Sequence, residues 1–75
     1  MSPGAATADP HARLIKNLRA LARKNRWSAN RLADFSGLSR AYVSQILSGK
    51  KSPTLRTMMK LAAAFEVDVV DLLES

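Results

Sequence analysis

The segment from Ser28 to Gly49 constrains the fold of this chain most, because it predicts two short helices joined by a tight turn. Ser28 and Ser39 are predicted N-caps, since a serine hydroxyl accepts a hydrogen bond from an N–H group that the first helical turn leaves unpaired. Gly37 stands between the helices and can adopt the positive φ of a sharp turn. Each cap is bracketed by two apolar residues with the spacing of a hydrophobic staple, Trp27 with Leu32 and Leu38 with Val43.

The second helix of this segment has one apolar face and one hydrogen-bonding face. Val43 and Ile46 are three residues apart and point inward together. Ala33 in the first helix is small enough for the two helices to cross closely. The outward face consists of short, mostly uncharged side chains, Arg40, Ala41, Ser44, Gln45 and Ser48. Together these features predict a helix-turn-helix.

An arginine opens the outward face, although the positive end of the helix macrodipole disfavours a cation there by about 0.3–1 kcal/mol. A partner outside the protein that is anionic or rich in acceptors offsets this cost. DNA fits, because guanine O6 and N7 accept two hydrogen bonds from an arginine such as Arg40, and a glutamine such as Gln45 pairs with adenine. The alternative interpretation is an ordinary solvated helix face.

Several motifs carry a family resemblance that covers most of the chain. They are Leu32-Ala33, Gly37, Leu38-Ser39, the run from Tyr42 to Ile46, the run from Gly49 to Thr54, and Leu61-Ala62 with Phe65. With these motifs, residues 14–73 resemble the phage-repressor/Cro-type DNA-binding domain of the XRE family. The resemblance implies an all-α fold, a compact five-helix bundle whose third helix reads the major groove. It also implies a transcriptional regulator, a repressor or autoregulator, that binds palindromic operators as a homodimer.

The resemblance also suggests which residues contact DNA. Base contacts of the family fall on the positions of Arg40, Ala41, Ser44 and Gln45. Phosphate contacts fall on Ser28, Ala29, Ser39, Lys50, Lys51 and Ser52. The hydroxyls of Thr54 and Tyr42 are further phosphate candidates, with the Tyr42 ring covering the core while its hydroxyl reaches a phosphate. The alternative for the two lysines is an ordinary solvated turn.

Two positions depart from the family pattern. Ala29 stands where the family commonly has a glutamine that contacts phosphate, so only its backbone N–H can serve here. Leu47 stands where the family often has a glutamate paired with an arginine on the first helix. The matching position on the first helix is Ala22, so we expect an apolar contact in place of that ion pair.

The charges of the chain are divided along its length, and the net charge is +6. All twelve basic residues lie between Arg13 and Lys60, where Asp34 is the only acid. Four acids, Glu66, Asp68, Asp71 and Glu74, follow near the C-terminus. A molecule with this polarity directs a basic face towards a polyanion, which favours double-stranded DNA as the partner. No predicted helix pairs a basic face with an exposed aromatic one, so a membrane is not expected as a partner.

Composition argues against catalysis and cofactors. The chain has no cysteine, which fits a reducing cytoplasm, and its single histidine, His11, cannot form a histidine cluster. There is no Gly-rich phosphate loop and no paired-acid site, so we expect neither an enzyme nor a metal, cofactor or small-molecule ligand. We see no secretory signal and no apolar run long enough for a membrane span.

The chain is predicted to have a disordered tail over residues 1–8 and one domain over residues 9–75. Asp9 and Pro10 signal the start of a first helix that runs to about Lys24, with Asn25 in the left-handed conformation at its end. The inward faces of the first and fourth helices are predicted as Leu14, Leu18, Leu21 and Ala22, and as Leu55, Met58, Leu61, Ala62 and Phe65. Thr54 and Asp68 are the predicted caps of the fourth and fifth helices.

Two questions stay open from the sequence. The chain can be a transcription factor, or an antitoxin-type interaction module with autoregulatory DNA binding, or a restriction–modification controller. A homodimer needs a contact surface, and we expect it at the end of the bundle away from DNA, formed by Met59, Val69, Val70 and Leu73. The alternative is that one or two of these residues only complete the core.

Overall fold

The computed structural model describes residues 9–74, and this part of the chain forms five helices and no strand. The helices are α1 (Pro10–Asn25), α2 (Ala29–Ser36), α3 (Arg40–Leu47), α4 (Leu55–Phe65) and α5 (Val69–Leu73). The predicted all-α five-helix fold is therefore confirmed. The expected tail over residues 1–8 lies outside the described residues.

Side-chain caps start α1 to α4 where the sequence predicts them. The Ser39 hydroxyl accepts from the Tyr42 N–H at 3.1 Å, and the Thr54 hydroxyl accepts from the Thr57 N–H at 3.1 Å. Ser28 makes a longer bond of the same kind, and Asp9 accepts from the N–H group two residues on. Asp68 is the N-cap residue of α5 as predicted, but the side-chain bond there is accepted by the Asp71 carboxylate from the Asp68 N–H at 3.0 Å.

The left-handed residue after α1 differs from the prediction. Arg26 has φ 58°, whereas Asn25 is still the last helical residue and its side-chain amide donates to the Leu21 carbonyl at 2.8 Å. The Arg26 N–H bonds back to the Arg23 carbonyl, and the next N–H, that of Trp27, bonds to Ala22 at 2.8 Å. These two bonds satisfy carbonyls at the end of α1, so the helix is closed one residue later than expected.

All five helices contribute to one core. Its most deeply buried large side chains come from every helix: Leu18, Leu32, Val43, Ile46, Leu61 and Leu72. Trp27 packs against this core and stacks with both Phe35 and Phe65, whose ring centroids lie 4.6 and 5.0 Å from its own. Asn17 of α1 donates to the Leu72 carbonyl at 2.8 Å and so holds the end of α5 against α1.

The prediction for the inward face of α4 is wrong at one position. Leu55 is 62% exposed, while Leu61, Ala62 and Phe65 are buried as predicted. Leu55 lies on the side of α4 that also carries Met59, four residues on, and this side faces away from the core. Ile15 of α1 is also buried in the core, although the sequence did not predict it as an inward residue.

Candidate nucleic-acid interface

The turn between α2 and α3 is short and is closed by backbone hydrogen bonds. Gly37 has φ 74°, and its N–H donates to the Ala33 carbonyl at 2.9 Å, which the Leu38 N–H also reaches at 3.2 Å. The buried Ser36 hydroxyl donates to the Leu32 carbonyl at 2.7 Å. Ala33 itself is buried, and the two helices pack against each other. The orientation of α3 relative to α2 is thus fixed by backbone geometry and close packing.

As predicted, α3 has one buried face and one exposed face. Val43 and Ile46 are each 1% exposed, whereas the side chains of Arg40, Ala41 and Ser44 are exposed. Gln45 is half-buried and lies at one edge of the exposed face. This face therefore presents a forked cation, a methyl group and a hydroxyl, with an amide at its rim, the groups that base edges in a major groove accept.

The predicted phosphate residues at the helix starts are held by their capping bonds. The hydroxyl oxygens of Ser28 and Ser39 each accept a backbone N–H bond. A hydroxyl has one proton and two lone pairs, so each can still donate to a phosphate oxygen. Ala29 is half-buried at the first position of α2, where its N–H group is one of those that a helix leaves unpaired.

Tyr42 joins α3 to α4. Its hydroxyl shares a hydrogen bond of 3.3 Å with the Thr57 hydroxyl, which in turn accepts from Thr54 at 3.1 Å. Thr57 is buried and Tyr42 is half-buried against the core. In this arrangement both predicted phosphate hydroxyls, Tyr42 and Thr54, already belong to an internal network.

The turn after α3 displays two lysines. Gly49 has φ 82°, and the N–H groups of Lys50 and Lys51 both donate to the Gln45 carbonyl, at 2.9 and 3.2 Å. Both lysines and the following Ser52 are exposed. The backbone of the turn is thus fixed while its two ammonium groups stay accessible, directly beside the end of α3.

Arg19 is a residue that the sequence reading missed. Its Nε donates to the Leu47 carbonyl at 2.7 Å, so α1 holds the last turn of α3. The acceptor is a main-chain atom 28 residues away, and no residue pattern signals such a contact. Ala22 is buried and Leu47 packs partly against the same core, as expected for an apolar contact in place of an ion pair.

The candidates for a dimer surface are unequal. Met59 is 57% and Val70 58% exposed, so both carry apolar area into solvent. Val69 and Leu73 are half-buried and pack against the core. The first pair is accessible to a partner, while the second pair mainly closes the bundle.

Comparison with known proteins decides the family. A model of the helix-turn-helix family matches residues 15–72. The chain belongs to the helix-turn-helix family. The resemblance to the phage-repressor/Cro type is thereby confirmed, and the family is one of DNA-binding regulators and not of enzymes.

One similar protein is the HTH-type transcriptional regulator SutR of Escherichia coli K12, 37% identical over 54 residues. The match covers 72% of this chain but only 30% of SutR.

Solved structures agree with the helix-turn-helix assignment. The hypothetical transcription factor NHTF from Neisseria has a TM-score of 0.83 at 35% identity, covering 88% of this chain and 76% of its own. The restriction-modification controller protein C.AhdI from Aeromonas hydrophila has a TM-score of 0.77 at 31% identity, covering 83% of this chain and 94% of its own. An HTH_3 family transcriptional regulator from Vibrio cholerae matches at 26% identity with a TM-score of 0.79, covering 87% of this chain and 36% of its own.

Other kinds of site are not found in the part of this helix-turn-helix chain that the structure describes. Residues 9–74 contain no group of three or more histidine, aspartate or glutamate side chains placed to hold a metal ion. Across the same residues, no helix is both long enough and apolar enough to cross a membrane.

Proposed function

We propose that this chain binds duplex DNA with sequence specificity and regulates transcription, with α3 lying in the major groove. The observation that carries the proposal is the exposed face of α3, where Arg40, Ala41 and Ser44 stand on a helix fixed by the Gly37 turn. The net charge of +6 provides the attraction to a polyanion. The site of action is the cytoplasm, where bacterial DNA lies.

Each side chain of the reading face has a defined role. Arg40 donates two hydrogen bonds to a guanine, and Gln45 reads a neighbouring base from the edge of the face. Ala41 and Ser44 fit a thymine methyl and a base-edge acceptor. The phosphate contacts come from Ser28, Ala29, Ser39, Lys50, Lys51 and Ser52. Tyr42 can donate its hydroxyl proton to a phosphate when Thr57 donates to Tyr42, whereas Thr54 must release its bond to Thr57 before it can do so.

A homodimer on a palindromic operator completes the proposal, because one helix-turn-helix reads few base pairs and two copies on half-sites about 34 Å apart read twice as many. The two-fold contact uses Met59 and Val70, whose side chains are exposed, with Val69 and Leu73 behind them. Its apolar surface and the nearby acids of α5 suit the side of the molecule that faces away from DNA.

A second candidate is a controller of a restriction–modification operon, favoured by the match that extends over 94% of the C.AhdI chain. The chemistry of binding is the same in both cases, and the genes beside the preferred operator tell the two apart. Endonuclease or methyltransferase genes there support the controller role.

Selection of bound duplexes from random sequence, followed by footprinting, tests the proposal. We expect a two-fold symmetric site that the wild-type chain protects. Arg40→Ala should weaken binding to this site by about 1–3 kcal/mol and relax the preference at one base pair. Lys24→Ala is the matched control, because it removes the same charge from a position beside Asp71, away from α3. No enriched sequence, or equal losses for the two variants, would contradict sequence-specific reading by α3.

A further inference from the structure

A groove lies between α1 and the turn that follows α3, and we call it the α1 groove. It has a volume of about 560 Å³ and is open to solvent. Three exposed cations of α1, Lys16, Arg19 and Arg23, line it, and no carboxylate does. Small residues, Ala12, Ala20 and Gly49, leave the space between the cations open.

The three cations form a row on one side of α1. They are spaced three and four residues apart, which places them on the same face of a helix. With a rise of 1.5 Å per residue, the row is about 10 Å long. Three successive phosphates of one DNA strand span about 7 Å along the helix axis, so the row is long enough to reach them.

The α1 groove lies at the C-terminal end of α3. Arg19 fixes this relation, since its Nε donates to the carbonyl of Leu47 at 2.7 Å. Leu47 is the last residue of α3, where the carbonyl groups point out of the end of the helix. Gly49 also lines the groove, so the row of cations stands beside the turn that carries Lys50 and Lys51.

An α-helix with its side chains is about 10–12 Å wide, and the major groove is about 12 Å wide. When α3 lies in the groove, a phosphate backbone runs along each of its edges. The exposed lysines of the turn after α3, Lys50 and Lys51, are proposed above to contact this backbone. The row on α1 lies beside that turn and extends its basic surface.

We propose that Lys16, Arg19 and Arg23 bind backbone phosphates of the DNA strand that passes the turn after α3. This inference rests on the proposed function and adds a contact from α1 to the phosphate contacts proposed above. Arg19 has a double role, because Nε is held by Leu47 while both Nη groups stay available for a phosphate. The same side chain joins the position of α3 to the position of the backbone.

The test measures the salt dependence of binding for Lys16→Ala and Arg23→Ala, on the selected operator and on an unrelated duplex. Each phosphate contact contributes about 0.9 to the slope of log K against log salt. Between 50 and 200 mM salt, each lost contact should reduce the fall in affinity by about 3.5-fold. The loss should be the same on both duplexes, because phosphates carry no sequence information.

Lys24→Ala is again the control. It removes one charge from the same helix, but Lys24 lines a different groove that contains Asp71. If Lys16→Ala and Arg23→Ala both have the slope of Lys24→Ala while Arg40→Ala still weakens operator binding, the row does not contact DNA and the inference is overturned, with the proposed function intact. A wild-type chain that binds no duplex would overturn the proposed function and the row with it.

Discussion

The turn that sets α3 against α2 permits a quantitative prediction for Gly37→Ala. Gly37 has φ +74°, and a Cβ built there meets no atom within 4 Å. The cost of a side chain is therefore conformational and not steric. The left-handed region disfavours an L-residue by about 1–2 kcal/mol. Alanine also lowers the conformational entropy of the unfolded chain, which offsets this cost by about 0.4–1 kcal/mol. We expect a net loss of about 1 kcal/mol, which lowers the Tm by about 4–8 °C in a domain of this size.

Urea and thermal unfolding followed by far-UV circular dichroism measure this loss, with the m-value checked for constancy. Gly37→Asn is the matched control, since asparagine tolerates the left-handed region better and should lose less stability. Gly49→Ala provides a second site with φ +82° and an equally open Cβ position, and it should cost about as much as Gly37→Ala. Equal losses for Gly37→Ala and Gly37→Asn, or a loss above about 3 kcal/mol, would refute the conformational explanation and point to a broken contact.

Three further predictions concern binding and assembly. Gln45→Ala should weaken operator binding by about 1–3 kcal/mol and relax the sequence preference at one base pair. Competition with single-base operator variants measures this preference, and unchanged preferences would show that Gln45 does not read a base. Lys50→Ala and Lys51→Ala should weaken binding to all duplexes alike and lower the salt slope by about 0.9 per contact in each subunit, whereas unaltered slopes would assign both lysines to a solvated turn. Val70→Asp should dissociate the homodimer in sedimentation equilibrium, with Ala12→Asp as the control for an added charge. A dimer that survives Val70→Asp, or a wild-type chain that is monomeric on a palindromic operator, would contradict the proposed interface.

The features that the sequence predicted well are local ones. Ser39 and Thr54 were identifiable as caps because each bonds to an N–H group three residues later, within the same helical turn. The inward positions of α3 followed from the three-residue spacing of Val43 and Ile46, which only a helix brings to one face. The positive φ of Gly37 followed from the need for a sharp turn between two capped helices.

The features that sequence reasoning missed depend on distant parts of the fold. The bond from Arg19 to the Leu47 carbonyl has a main-chain acceptor, so no residue type marks it. Leu55 has the spacing of an inward residue, yet it lies in the first turn of α4, beside Met59 and off the packed face. Arg26, and not Asn25, adopts the left-handed conformation after α1. The helix ends there because the N–H groups of Arg26 and Trp27 bond to the carbonyls of Arg23 and Ala22.

The contacts around α3 bear on how affinity and specificity divide in the proposed complex. Its start is fixed by the Gly37 turn, its middle by the bond of Tyr42 to Thr57, and its end by the bond of Leu47 to Arg19. A helix held at three points pays little ordering entropy when it enters a groove, so differences between sequences come from base contacts and not from rearrangement of the protein. The salt-dependent part of the affinity then resides in cations outside α3, on α1 and on the turn after α3. Arg19 fixes the end of α3 and is also one of the cations on α1. A substitution of Arg19 should therefore change the sequence specificity and the salt slope together. A substitution of Arg40 should change only the specificity, and a substitution of Lys50 only the salt slope.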